Sequence, residues 1–475
     1  MRSNFVQTSL YNVYTDMSNT LESDKSNLLT LLDTHIDFNA IIPYEFNRAY
    51  YKQYGRSVKY HLESMLRLLV LQNLFGLTNQ QVLFIMQSCL EFQRFCGFDK
   101  IPDPSKLSRF KQDYCKHLGA LFENLVSLTE PICRELDAKK ADYLIFDTTG
   151  IEPTVAENNP KFFNTKLREA KKYAKGNPNY NPYIGVYSLL PKETRANPNV
   201  QQQYLNGHYC YAFKAGILTN GLGIVRSISF FDETFKKKHP QTVTPRSDDP
   251  TKDKEISDSA ALQAVLEDFF TAHNDFSYRT FLGDSAFDSY DNYALLKNDF
   301  HFSRACIPLN PRNAKNVSAS FDKNGVPICP LDGTPFTYVG KCAGKNRSLR
   351  FKYVCHKSIK QGSKRICTCE SPCTNSLYGR CTYTYPDKDF RMYPGIPRGT
   401  EHFDNLYRHR VLIERTIGQL KSSFCLEKPK SFCSNTVKAN LYIAASVQLI
   451  GVLLAKALHQ DLLFKSLRTL MRKVA

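Results

Sequence analysis

A chain of 475 residues is long enough for about three folding units at roughly 150 residues each. Hydrophobic residues at 42% and charged residues at 23% supply a sizeable core and exclude a disordered, collagen-like or small disulfide-stapled protein. The 63 Lys and Arg against 45 Asp and Glu leave a net charge of +18. Such an excess favours a polyanionic partner, because each cation that neutralises a phosphate releases a counterion.

The opening residues, MRSNFVQTSLYNVY, lack the basic start and apolar run of a secretory signal. A reducing, cytoplasmic setting is therefore expected, with the 15 cysteines as free thiols or metal ligands. Residues 1–55 show little sustained periodicity and are expected to be partly irregular. Residues 56–137 carry a helical period, with Met65, Leu68, Leu69 and Leu71 before Gly76, then Val82, Leu83, Ile85 and Met86 behind Thr78 as N-cap. Ser105 is a candidate cap for a third helix, whose basic face would hold Lys106, Arg109 and Lys111. This is expected to be an all-helical N-terminal domain.

The period changes at ADYLIFDTTGIEP, where Tyr143 to Phe146 reads as a buried strand. Residues 155–207, rich in Asn, Pro and Lys, read as a long loop or an inserted excursion. HYCYAFKAGILTNGLGIVRSISFF reads as two strands joined across Thr219–Gly223, with Asn220-Gly221 as the hairpin signal. A helix capped at Ser257 or Asp258, the strand RTFLGDSAFDS, a short helix and the strand FSRACIPL follow. Residues 138–319 are thus the first part of a mixed α/β sheet domain. Residues 320–400 hold seven cysteines and a basic run, and read as an insertion. Helical periodicity then returns over 401–475. Its run Leu441–Leu454, interrupted by Ser446 and Gln448, falls short of the roughly 20 apolar residues that span a bilayer. It reads as a buried helix, and no membrane partner is expected.

The most informative stretch is YRHRVLIERTIGQLK, from Tyr407 to Lys421. At about 100° per residue, Tyr407, Arg410, Glu414 and Lys421 fall within about 60° of one another on a helix. Leu406, Ile413, Ile417, Leu420 and Phe424 form the adjacent apolar stripe that would dock it. An exposed helix with an i,i+4 ion pair would look similar. Two further carboxylates complete the pattern: Asp147 after the run YLIF and Asp284 after TFLG, each expected at a strand end, where an Asp also often caps a turn. Asp147, Asp284 and Glu414 together in a basic protein make a trap for divalent cations, and oxygen ligands favour Mg2+ or Mn2+. Asp142, Asp232 and Asp288 are read as structural.

Among the cysteines, Cys369-x3-Cys373 is spaced as a zinc knuckle, and Cys329 and Cys355 fall at expected turns. The best zinc set is Cys329, Cys355, Cys369 and Cys373, with Cys367, Cys381 or His356 as replacements. Free thiols are the competing reading.

Tyr407-x2-Arg410-x3-Glu414-x6-Lys421 resembles, at all four positions, the Y-R-E-K signature of the DDE transposases of bacterial insertion sequences. IFDTTG and FLGDSAFDS look like the settings of that family's first and second acids. HLESMLRLLVLQNLFGLTNQQ with PDPSKLSRFKQ looks like its helical N-terminal domain. The resemblance implies an α/β fold with an RNase H-like core. It also implies a triad of Asp147, Asp284 and Glu414 holding two Mg2+ ions, and DNA contacts from Tyr407, Arg410 and Lys421. The activity implied is cleavage at the ends of a mobile element and strand transfer into target DNA, by a homodimer bound to double-stranded DNA at the nucleoid. Related transposases often carry a cysteine-bearing insertion between the second and third acids, in line with structural Zn2+. A hydrolytic endonuclease shares the triad, and a relic that only grips DNA is the reading from a different class.

Overall fold

The protein is described from a computed structural model over residues 9–23, 27–52, 54, 57–205, 208–247, 254–310, 320–344, 347–386, 390–391, 394–423, 426–464 and 470. At its centre lies β1 (Tyr143–Ile151), an apolar strand covered on both faces. Its side chains alternate between two cores. Tyr143 and Ile145 pack with the long helices Cys115–Leu136 and Ser434–Ala457, whereas Leu144 and Phe146 pack with the helix Asp258–Ala272. A strand buried on both sides has no polar face, and so YLIF is continuously apolar rather than alternating.

Five more strands complete the sheet: β2 (Gln201–Leu205), β3 (His208–Asn220), β4 (Val225–Phe230), β5 (Thr280–Leu282) and β6 (Arg304–Cys306). β3 pairs antiparallel with β1, and its two halves pair separately with β2 and β4. β5 and β6 continue the sheet in parallel from the other edge of β1. The hairpin between β3 and β4 turns at Asn220–Gly223, where the Asn220 side chain accepts from the N–H groups of Leu222 and Ile224. Gly223 supplies the left-handed φ of +80° that closes this turn.

Asp147 does not end its strand: β1 runs on to Ile151 because its pairing with β3 persists to Ile151↔Phe213. Only the pairing with β5 stops early, at Ile145↔Leu282. Residues 155–207 are not one loop but include the helix Pro160–Ala174, capped by Asn159 with Pro160 in its first turn. That Asn-Pro start was a legible helix signal. Four helices lie between Leu10 and Tyr50, where little regular structure was expected, and the last three of them join the main core. Asp103, not Ser105, caps the helix Pro104–Asp113. Lys111 does not belong to that helix's basic face; it is buried and donates to Gln72 Oε1 at 2.6 Å and Asn79 Oδ1 at 3.2 Å.

Thr78 caps its helix through a reciprocal box with Gln81, as read from the residues, and of the two candidates Ser257 and Asp258 it is Ser257 that caps Asp258–Ala272. The helix Ser434–Ala457, at 24 residues, is long and apolar enough to cross a bilayer, in contrast to the shorter run inferred above. In this structure 78% of its most apolar window is buried inside the protein, chiefly against the helix Cys115–Leu136.

Residues 320–400 form a separate small β module with strands Thr337–Gly344, Arg347–Val354 and Cys381–Thr384 in one sheet and the pair Ser358–Gln361 and Lys364–Cys367 beside it. Its own apolar cluster centres on Val326, Phe336, Phe351 and Tyr353. Arg391 and Arg398, at the end of the segment, anchor it to the sheet domain. Arg391 pairs with Asp288 at 3.0 Å, and Arg398 donates to the Ile307 carbonyl at 2.8 Å.

Candidate active site

The register of β1 and β5 brings the first two acids together. With Ile145 level with Leu282 in parallel strands, two further residues along each chain lead to Asp147 and Asp284. Asp147 continues the odd-numbered face of Tyr143 and Ile145. Thr148, on the other face, donates to Asp258 Oδ1 at 2.7 Å. Asp284 follows Gly283 and caps a short 3-10 turn, its Oδ1 accepting from the Ala286 N–H at 2.8 Å. Asp147 likewise uses Oδ1 to accept from a backbone N–H, that of Thr148, at 2.8 Å. Each aspartate therefore has one oxygen fixed by backbone and the other turned toward the cluster.

The third acid arrives on the helix Val411–Ser423. The expected single helix from Tyr407 to Lys421 is broken: one helix ends at Tyr407, Arg408–Arg410 form a 3-10 turn, and Glu414 lies in the first turn of the next. Ile413 and Leu420 bury the apolar stripe. Thr416 pins the helix to the β3–β4 hairpin by donating to the Gly223 carbonyl at 2.8 Å. Gln448, from Ser434–Ala457, donates to the same carbonyl at 3.0 Å and accepts from the Val225 N–H.

One guanidinium joins the three carboxylates. Arg410 Nη2 lies 3.3 Å from Asp147 Oδ2 and 3.9 Å from Asp284 Oδ2, while Nη1 pairs with Glu414 Oε1. Tyr407 stands beside this group, half-buried and stacked on Phe403. The fourth member of the motif goes elsewhere. Lys421 faces the Glu427 and Glu152 carboxylates and the Cys210 thiol instead, and burial holds its ammonium below the usual lysine range.

Burial pushes the Asp147 carboxyl up to about 6. Arg410 and the Thr148 N–H pull it down, and Asp284 and Asp258 push it further up. In metal-free protein this carboxyl binds its proton more tightly when folded than when unfolded. Stability should therefore be full below about pH 4 for this group and should fall as pH rises towards 6. Asp147→Asn is expected to remove that loss. Urea denaturation of the metal-free variant should show unchanged or higher stability at pH 7, and a marked loss would contradict the assignment.

The other acids near the strands have other work. The Asp142 carbonyl accepts from the backbone of Arg279 and Thr280, at the foot of β5. Asp232 caps Glu233–Lys238 and pairs with Lys438 at 3.1 Å. Asp288 is buried between Arg391 and the Tyr293 hydroxyl.

In the β module, Cys329 opens a tight turn closed by Gly333, and Cys355 a second turn closed by Ser358. Asp332 ties the two turns together through His356 at 3.4 Å and Lys357 at 3.2 Å. Cys355 feels the thiols of Cys329, Cys367 and Cys373, and Cys369 shares a hydrogen bond with Cys367. Among the described residues no three ligand atoms of the expected set, Cys329, Cys355, Cys369 and Cys373, lie within 4.8 Å of one another. Among the described residues, only Glu152, His208 and Cys210 bring three ligand atoms of His, Cys, Asp or Glu within 4.8 Å of one another. That trio escaped the sequence reading because Glu152 lies more than fifty residues before His208 and Cys210 and meets them only through the β1–β3 pairing.

Residues 18–113 match the model of a family described as a transposase domain (DUF772). The match lies over the N-terminal helices and begins inside the segment 1–55. A search of curated proteins returned no match. Among solved structures the chain is similar to piggyBac transposase in a cryo-EM synaptic complex with hairpin DNA, at 10% identity and a TM-score of 0.38, with 94% of this chain and 78% of that chain covered. A likeness that loose carries no inference.

Proposed function

We propose that this chain is a DDE transposase that cuts DNA at the ends of a mobile element and joins the freed ends to target DNA. The observation that carries the reading is the convergence of Asp147, Asp284 and Glu414 on the Arg410 guanidinium, where the β1–β5 pairing ends. The sheet order β4-β3-β1-β5-β6, with three antiparallel strands followed by two parallel ones, supports an RNase H-like core. The transposase domain at residues 18–113 supports the same class.

The donor set fits Mg2+ or Mn2+. Three carboxylates offer only oxygen, and a cationic side chain already sits among them. Two bound ions about 4 Å apart would activate an attacking hydroxyl and stabilise the leaving oxygen. Ligands arranged around two ions need not all touch, in keeping with acids spread around a guanidinium. Asp147 and Asp284 would hold the ions with the oxygens that the backbone leaves free, and Glu414 would complete the set. Arg410 and Tyr407 stand where they can donate to phosphate oxygens. Lys421, set apart from the acids, would meet the DNA backbone further along the strand. Zn2+ held by cysteines of the β module, drawn from Cys329, Cys355, Cys369 and Cys373 with Cys367 available, would fix its two turns. The working form is a homodimer on double-stranded DNA in the cytoplasm, at the nucleoid.

The test is direct. Purified protein with Mg2+ or Mn2+ is given duplexes carrying the inverted repeats that flank its reading frame, then pre-cut ends with a target plasmid. Cleavage at the repeats and joining of pre-cut ends is the expected result. Cleavage without joining would identify a hydrolytic endonuclease, and binding with neither would identify a DNA-binding relic. Arg410→Ala should lower DNA affinity and reduce the slope of log K against log salt by about one, because one phosphate contact is lost. An unchanged slope would place Arg410 off the DNA.

A further inference from the structure

The trio Glu152, His208 and Cys210 lies outside the acid cluster. Glu152 immediately follows β1, and His208 and Cys210 are alternate residues of β3, so both project from the same side of that strand. Continuing the β1–β3 register past Ile151↔Phe213 carries Glu152 to the same end of the strand pair. His208 Nε2 lies 2.7 Å from Glu152 Oε1, and the Cys210 thiol also hydrogen-bonds to Glu152. Cys210 is buried, Glu152 is partly covered and His208 is exposed.

We propose that Glu152, His208 and Cys210 form a zinc site that clamps the end of β1 to the start of β3. The donors are one oxygen, one nitrogen and one sulfur, a mixture that suits borderline-soft Zn2+ better than Mg2+ or Ca2+. Tetrahedral zinc with ordinary bond lengths keeps such ligand atoms about 3.5 Å apart, inside the 4.8 Å limit already met here. The backbones of His208 and Cys210 are held in β3, Glu152 follows the end of β1, and the exposed His208 ring can open its 2.7 Å contact with Glu152 to that spacing. Thiolate and carboxylate together balance the charge of the ion.

Three protein ligands leave a fourth position. All three residues line one cavity of about 700 Å³, walled also by Tyr187, Tyr204 and Lys428. Lys421 is close enough to act on Cys210 and Glu152. These two lysines disfavour a second cation and favour water or an anion such as phosphate as the fourth ligand.

The experiment counts metal and uses no DNA, so its outcome is independent of the transposase reading. Full-length protein is stripped with chelator, reloaded with Zn2+, dialysed and analysed for bound zinc per chain, beside the variants His208→Ala and Cys210→Ser. Each variant is expected to bind one zinc fewer than the wild type, whatever the β module holds. His208→Ala alters an exposed side chain and should melt cooperatively at the wild-type temperature in the absence of metal, which separates ligand loss from misfolding. In the wild type, added Zn2+ should raise the melting temperature, and His208→Ala should shrink that rise. Equal zinc content in wild type and His208→Ala would overturn the proposal and leave the trio as a hydrogen-bonded strand clasp.

Discussion

Replacing Asp147, Asp284 or Glu414 by alanine is expected to lower metal-dependent cleavage of element-end DNA by roughly a thousandfold or more, with no matching loss of fold. The reason is geometric. The three carboxylates come from elements far apart in the chain, and their side chains meet only around Arg410. Each retains some exposure, from 22% for Asp147 to 36% for Asp284 and 50% for Glu414, so none is a packing residue of the core. Removing one leaves two carboxylates against the one guanidinium, which weakens the attraction for divalent ions and takes away a ligand. Single-turnover cleavage and thermal melting on the same preparations separate the two effects. Normal cutting by any one variant would remove that residue from the site.

Asp288→Ala should do the reverse and cost stability, about 3–5 kcal/mol. Asp288 lies only four residues beyond Asp284, yet its side chain is fully buried, as is all but 2% of that of its partner Arg391. Asp288 also accepts from the Tyr293 hydroxyl at 3.0 Å and from the Asn310 N–H at 2.7 Å. Truncation would strand a guanidinium in the interior and free the end of the β module from the sheet domain. Urea unfolding followed by circular dichroism should show a large drop in midpoint. A midpoint within experimental error of the wild type would show that the Asp288–Arg391 pair contributes nothing net.

These two aspartates mark how far local sequence reading reaches. Both follow the strand TFLG within five residues, and although the sequence reading set Asp288 apart as structural, nothing in FLGDSAFDS fixes which of the two stays exposed. Tertiary burial decides it, because a charge with 36% exposure can exchange partners and a fully buried one must keep the partner it folded with. Lys111 teaches the same point. Helical spacing put it with Lys106 and Arg109, yet packing turned its ammonium inward onto Gln72 and Asn79.

What the residues determine by themselves is local. They contain the caps at Thr78 and Ser257, the hairpin at Asn220-Gly221, the two-sided apolar strand YLIF and the i,i+4 spacing of Arg410 and Glu414. Each depends on backbone geometry within a few positions, so each is legible one segment at a time. Only the tertiary structure decided that β1 continues past Asp147, that Lys421 leaves the cluster its spacing placed it in, and that Glu152 meets His208 and Cys210. Those outcomes depend on strand register and on helices docking from hundreds of residues away, where the free energy lies in pairing and burial between segments rather than within them.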